Sequence, residues 1–290
     1  MRVFSKVVCF FIIFQSVNIC HAVISFPFVT TFYCDEWTGP QATGDMGCGI
    51  VRWGNDSAGV KWDQITTDAN FIGGGGGRGM RQWVIGNGDP AVEPPLTQGK
   101  LIVFPANQYE VWIRFYVRYQ SGFYFHASDR GGQKVLYFKK PDFSNLVAVN
   151  VGAQSEHLFQ YGSMTSGVTK LSTAKFEDFF GSPTDGSWHY IEFYMKSETV
   201  DKAPFDGVVR MWCDGELVLE DVNINLGIFS TGTEIGGVSP QHNFHGLPLF
   251  DAKYIDFDDI AIFNSTPRNR DAKGNPFIGP VISPVNNLRI

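Results

Sequence analysis

The chain has 290 residues, 43% hydrophobic, 15% aromatic and 18% charged, with 32 glycines and 15 prolines. That length holds one large β domain or two ordinary ones. So few charges exclude a disordered chain or a coiled coil, and the Gly/Pro/aromatic balance favours many short strands joined by turns.

Residues 1–22 read as a secretory signal. Arg2 and Lys6 form the positive end, Val7 to Phe14 a short apolar core, and Cys20-His21-Ala22 a small-residue cleavage site. A bilayer span needs about 20 apolar residues, so this segment is too short for an anchor. The expected location is secreted, extracellular or periplasmic, with no membrane attachment after cleavage. Losing Arg2 and Lys6 from the 23 basic residues leaves 21 against 29 acidic, a mature charge near −8. Acidity and export together argue against nucleic acid as a partner. Cys34, Cys48 and Cys213 remain after cleavage. Export permits disulfides, and the spacing of Cys34 and Cys48 in a Gly/Pro/Asp-rich loop makes them the expected pair. The odd count leaves other pairings open. Cys213 lies in a strand pattern, where it is expected to pack as a small hydrophobe. Asn55-Asp56-Ser57 and Asn264-Ser265-Thr266 are glycosylation sequons if the source is a eukaryote.

The run Gly73 to Gly79 contains G-x-G-x-x-G at Gly74, Gly76 and Gly79. A dinucleotide site needs a strand before it and a helix after it. Met80 to Ile85 is expected as a strand instead, so the glycines are read as a close backbone approach, with Arg78 and Arg81 as neighbouring substrate-binding candidates. Trp112 to Tyr119 alternates with period two: Trp112, Arg114, Tyr116 and Arg118 share one face, and Ile113, Phe115, Val117 and Tyr119 the other. A short helix is expected near Thr173 to Phe180, closed by Gly181. Trp188 to Lys196 places Trp188, Tyr190, Glu192, Tyr194 and Lys196 opposite His189, Ile191, Phe193 and Met195. Val208 to Cys213 leads through an Asp214-Gly215 hairpin turn into Glu216 to Leu219. His242-x-x-His245 lacks the helical spacing of a hydrolytic zinc site. Tyr254 to Phe263 closes the pattern, with Ile255, Phe257, Asp259, Ala261 and Phe263 expected on one side.

No linker divides these strands, so one antiparallel β-sandwich over residues 23–265 is expected, followed by a tail at 266–290 that straps the outside or frays. Apolar strand faces belong in the core. The opposite face, with Arg, Tyr, Trp and Glu together, is too polar for a core and is expected to bind.

Trp188-His189-Tyr190, Val209 to Glu216 and Tyr254 to Ile262 resemble paired and closing strands of concanavalin A-like lectin/glucanase jelly rolls, laminin-G modules included. Trp112 to Tyr119, Gly131-Gly132-Gln133-Lys134 and the closing strand look most like secreted polysaccharide lyases of that superfamily. The resemblance spans roughly Gly73 to Phe263. It implies two bent sheets with sugar in a concave groove, where the strand faces place Arg114, Tyr116, Arg118, Tyr190, Glu192, Tyr194, Arg210 and Trp212. The implied partner is a polysaccharide, acidic in the lyase case. Aromatic rings suit apolar sugar faces, and Arg forks suit hydroxyls and uronate carboxylates.

A β-eliminating lyase neutralises a uronate carboxylate, removes the neighbouring proton and protonates the leaving oxygen. Arg114, Arg118 and Lys134 are candidates for the first task, and Tyr116, Tyr124, His126 and Tyr190 for proton transfer. Trp112, Glu192, Tyr194, Arg210 and Trp212 join Arg78 and Arg81 as substrate-binding candidates. The Gln-Ile-His and Tyr-Phe-Lys-Ala-Gly patterns of well-known alginate lyases are absent, and Tyr137-Phe138-Lys139-Lys140 only begins like the second. No Glu-x-Asp-x-x-Glu run supports a retaining glucanase, and no nucleophile-elbow motif is present. Asp258 and Asp259 are calcium-ligand candidates, as in several relatives; no other cofactor is called for. A non-catalytic carbohydrate-binding module, or a laminin-G-like structural or adhesion protein, are the alternatives to the lyase.

Overall fold

The structure, a computed structural model, describes residues 24–33, 37–38, 43–45, 48–49, 51–53, 63–86, 99–123, 133–153, 157–231, 234–240 and 250–280. In chain order the strands begin with β1 (Phe28–Thr30), β2 (Trp37–Thr38), β3 (Thr43–Asp45), β4 (Val51–Trp53), β5 (Gln64–Thr66), β6 (Gly79–Gly86), β7 (Gly99–Gln108), β8 (Glu110–Tyr119), β9 (Gln133–Lys139) and β10 (Asn145–Ala153). They continue with β11 (Leu158–Ser163), β12 (Thr169–Lys175), β13 (Trp188–Lys196), β14 (Gly207–Cys213), β15 (Glu216–Ile224), β16 (Ile235–Pro240), β17 (Phe250–Phe263), β18 (Asn269–Arg270) and β19 (Pro276–Phe277). A 3-10 turn at Thr67–Ala69 and two four-residue helices, α1 (Glu177–Phe180) and α2 (Ile228–Thr231), interrupt them.

Two antiparallel sheets form a jelly-roll sandwich. The first has the order β15-β14-β13-β8-β17-β6-β5-β2, with β1 also on β17; the second runs β12-β11-β10-β9-β16-β7-β4-β3. The period-two patterns set which side chains lie between them. Ile113, Phe115 and Val117 of β8, and Ile191, Phe193 and Met195 of β13, are buried in one continuous core. Leu136 and Phe138 of β9, Val147 and Val149 of β10, and Val238 of β16 meet them from the second sheet. Each fully buried large side chain contributes about 1.5–3 kcal/mol. Cys213 is buried and free, as expected of a packing residue. Cys34, Tyr124, His126, Asn55, His242 and His245 lie outside the described residues.

Two expectations change. The helix near Thr173 to Phe180 reduces to Glu177–Phe180, because Thr169–Lys175 pairs as a strand with β11. Gly181 does close it, at φ +76. The single-sided reading of the closing strand also fails. Pairing of β17 with β8 slips between Asp258 and Ala261, and Asp259 sits at φ +46. This bulge inserts an extra residue and reverses the alternation. Ile255 and Phe257 face the core before it, and Ile260 and Ile262 after it, while Phe263 packs on the outer face. The Asp214-Gly215 turn is as expected, with φ +48 and +86 joining β14 to β15, the pattern of a type I′ hairpin.

Candidate functional site

The outer face of the first sheet carries the side chains that parity placed together. Trp112 is opposite Tyr194, Arg114 opposite Glu192, Tyr116 opposite Tyr190, and Arg118 opposite Trp188. Trp212 and Arg210 follow on β14, opposite Glu192 and Tyr194. This face is nonetheless roofed. Residues 269–279, built on the β18–β19 hairpin, lie across it as a strap. Trp112 Nε1 donates to Pro276 O at 3.2 Å and Trp212 Nε1 to Asp271 Oδ2 at 2.9 Å. The Ile278 and Gly279 amides donate to the two Glu192 carboxylate oxygens, and Arg114 Nη1 donates to Gly279 O at 2.8 Å. Trp112, Tyr194 and Trp212 consequently form a buried satellite cluster with Phe263, Phe277 and Ile278. The expectation of an open glycan-facing surface here is corrected: Trp112, Arg114, Glu192, Tyr194 and Trp212 are shut off from solvent by the chain's own tail. Burial pushes the Glu192 carboxyl up to about 7, against the two strap amides and Arg114.

A second roof comes from the segment between β5 and β6. Phe71 stacks on Tyr116 with centroids 3.9 Å apart, and its amide donates to Asp258 Oδ2 at 2.7 Å. Gly74 and Gly76 are required there: an added Cβ would lie 1.8 Å from Asp259 Oδ2 or 1.5 Å from Thr31 O. That is the close backbone approach expected of the glycine run. Arg81 and Arg118 do not point at a ligand either. Both clamp Asp256, which is fully buried: Arg81 Nε bonds Oδ1 at 2.7 Å, and Arg118 Nε bonds Oδ2 at 3.0 Å. Their guanidinium planes are interleaved with rings, Arg81 over Tyr254 at 3.7 Å and Arg118 over Trp188 at 4.8 Å. Arg210 pairs with Glu220 at 2.8 Å. Burial first, then Tyr116, pushes the Tyr190 hydroxyl well above the usual phenol range, which keeps it protonated and unavailable as a base. Arg78 stands in the glycine run, half-buried.

Asp258 and Asp259 occupy the bulge. Burial pushes the Asp258 carboxyl up to about 8 and raises Asp259 as well. The buried Asp259 Oδ2 has no hydrogen-bond partner among the described residues. Both Asp258 oxygens accept from backbone amides, Oδ2 from Phe71 and Oδ1 from Asp259, which leaves Asp259 Oδ2 as the free oxygen of the pair among the described residues. Among the described residues, no group of three or more His, Cys, Asp or Glu is gathered for a metal.

The outer face of the second sheet has a different character. Residues away from the core form transverse rows set by register. Gly162, Ala148, Tyr137 and Ser239 line up across β11, β10, β9 and β16, and Gln160, Asn150 and Lys134 form the next row. Lys139 and Gly237 stand opposite each other one step beyond Tyr137. Gly162, Ala148, Tyr137, Ser239 and Gly237 are buried, and Lys134 and Gln160 are half-buried at the next row. Lys139 is 3% exposed; its Nζ lies 4.8 Å from the Tyr137 ring centroid and donates to Asn145 Oδ1. Burial pushes its ammonium down to about 8. Asn150 Oδ1 and Ser239 Oγ are buried without a hydrogen-bond partner among the described residues. Buried polar atoms are nearly always satisfied in native proteins.

Six of the eight strands of this sheet, β7, β9, β10, β11, β12 and β16, together contain Lys100, Lys134, Lys139, Lys170 and Lys175 and no Asp or Glu, in a chain of net charge −6; of the other two, β4 contains Arg52 and the edge strand β3 contains Asp45. Lys100 is neutralised from a loop by Asp63, and Lys170 by Asp221 of β15. Among the described residues, Lys134 is the one site candidate from sequence that stands on this face. Tyr137 and Lys139 stand in the incomplete lyase pattern noted above without being site candidates from sequence, and Asn150, Gln160 and Ser239 were missed. A usable signal existed, since an acid-free set of strands is visible in the sequence once the strands are assigned.

No protein-family model matches the chain, and no curated protein matches it by sequence. Among solved structures, an alginate lyase (Aly36B) in complex with an alginate trisaccharide is 16% identical over 78% of this chain and 93% of its own, with a TM-score of 0.49. An endo-β-1,4-glucuronan lyase from the fungus Trichoderma reesei is 11% identical over 72% and 90%, also at 0.49. An alginate lyase (vAL-1) from Chlorella virus is 15% identical over 69% and 88%, at 0.48.

Proposed function

We propose that the protein is a secreted, polysaccharide-active jelly roll that binds an acidic glycan on the outer face of the second sheet and cleaves it by β-elimination. The observation that carries this is a desolvated lysine beside a tyrosine, on strands that hold lysines and no carboxylates. A positively charged surface draws a polyanion and gives a neutral glycan no such attraction. Neutral Lys139 would remove the proton next to a uronate carboxylate. Lys134 and the Asn150 amide would stabilise the charge that develops, and the Tyr137 hydroxyl would protonate the leaving oxygen. A group titrating at about 8 suits proton abstraction near neutral pH.

The test is ultraviolet absorbance of the mature protein against a panel of uronate polysaccharides, with Lys139→Met and Tyr137→Phe beside the native chain. Growth of the unsaturated-uronate band, reduced about 10²–10⁴-fold in each variant, with the Lys139→Met melting temperature no lower than the native one, is the expected result. Affinity without turnover on the same panel would instead establish the carbohydrate-binding module, which the unpartnered Asn150 and Ser239 atoms also support.

Two subsidiary assignments belong to the same proposal. Asp258 and Asp259 would hold calcium and so fasten the glycine run to the first sheet; added calcium should raise the melting temperature, and Asp259→Asn should abolish the rise. Cys34 would pair with Cys48, which is disulfide-bonded; a non-reduced peptide map of the secreted chain checks the partner.

A further inference from the structure

The sequon Asn264-Ser265-Thr266 has no part in the site described above. It starts one residue beyond the end of β17, and all three residues are exposed. None of them belongs to a strand, so the tripeptide can present itself to a modifying enzyme without breaking a ladder. Among the described residues, the Asn264 side chain has one polar contact, Nδ2 to Gln108 Oε1 at 3.2 Å at the exposed surface, and this is readily exchanged for water. Beside it lies a cavity of about 350 Å³ lined by Phe263, Ser265, Thr266, Pro267, Arg268, Asn269 and Ile278. Two of those residues belong to the sequon, and Phe263, Pro267 and Ile278 supply an apolar wall. An acceptor amide next to a half-apolar hollow suits a sugar, whose ring has an apolar face and a polar rim.

We propose that Asn264 carries an N-linked oligosaccharide whose first N-acetylglucosamine packs into this cavity, against the start of the strap. This rests on the proposal that the chain is exported, and on export from a eukaryotic cell, and it is independent of the lyase assignment. In the transfer, Asn264 Nδ2 forms a bond to C1 of a lipid-pyrophosphate-linked oligosaccharide. The C1–oxygen bond breaks, the lipid pyrophosphate leaves with the electron pair, and the amide proton passes to the transferase.

The experiment is expression of the full chain in a eukaryotic secretory host, followed by peptide mass spectrometry after amidase release in heavy-oxygen water. Most copies of Asn264 are expected to carry the label, which Asn264→Gln and Thr266→Ala abolish and Thr266→Ser retains. Trypsin provides the second readout, since Arg268 is exposed four residues away. Cleavage there should slow at least threefold in chains trimmed to a single sugar, relative to fully deglycosylated ones. A chain carrying the host's leader in place of residues 1–22 separates the two assumptions. If only that chain is labelled, the native leader fails while the site stands. If it is secreted with Asn264 unlabelled, the site is refuted. Equal tryptic rates in labelled chains would refute the packing of the first sugar.

Discussion

Replacing Asp256 by Ala tests whether the first sheet's outer face is a structural network rather than a binding surface. Its carboxylate is fully buried and accepts from two guanidiniums: Arg81 through Nε and Nη2 at 2.7 and 3.0 Å, and Arg118 through Nε and Nη2 at 3.0 and 2.5 Å. Removing one partner of a buried ion pair costs about 3–5 kcal/mol, because the charge left behind is uncompensated. Here two charges remain, but each keeps a bond to Asp68 O, at 3.3 and 2.8 Å, and an aromatic face. The Arg118 side chain is also 22% exposed and can hydrate. The loss should therefore fall near the lower end, about 3 kcal/mol. For a domain of this size, that lowers the melting temperature by about 6–12 °C. Asp256→Asn keeps the shape and one acceptor, and should lose about 1–2 kcal/mol. Urea unfolding followed by near-ultraviolet circular dichroism, with thermal melts alongside, measures both. A loss under about 1 kcal/mol in Asp256→Ala would mean that the clamp is not holding the sheet.

Gly215→Ala should destabilise by about 1–2 kcal/mol, since φ is +86 and the new Cβ would meet Tyr190 Oη at 2.7 Å; an unchanged urea midpoint would contradict the turn assignment. Lys139 titrates at about 8 when folded, against 10.5 when unfolded. Between those values the unfolded chain binds more protons, so native stability should rise with pH relative to Lys139→Met, by up to about 3 kcal/mol. Parallel pH–stability curves for the two proteins would count against the burial of that ammonium. Ser239→Ala removes an unpartnered buried hydroxyl and should leave stability within about 1 kcal/mol, while weakening glycan binding or turnover at least tenfold. Calorimetry and the absorbance assay read the two halves separately.

The sandwich was legible because its strands obey a period of two over long stretches. The expected Trp188 to Lys196 strand and the observed β13 coincide end to end, and Ile191, Phe193 and Met195 fill the core as their parity required. The bulge at Asp258–Asp259 was not legible, since a positive φ at an aspartate leaves no mark in an alternating pattern. The site was misplaced for a related reason. Parity identifies residues that share a face but not what lies over that face, and the strap over Trp112 and Trp212 comes from residues more than 50 positions further along the chain. On β9, Val135 is an extra residue between Lys134 and Leu136 in the pairing with β10, which blurs the alternation. Lys134, Tyr137 and Lys139 therefore did not read as one face.

The position of β17 has a consequence for how the chain reaches this form. The last long strand in sequence lies between β8 and β6 in the middle of the first sheet, and it pairs Asp256 with Arg118 across 138 residues. Until Phe250 to Phe263 has been synthesised, β8 and β6 each expose an unpaired edge, and two guanidiniums wait for a carboxylate that does not yet exist. Contacts this distant make for slow folding, and open edges invite pairing with other chains. A ribosome stalled anywhere before residue 250 would thus hold a half-sheet with two open edges, so the first sheet cannot close until β17 has emerged.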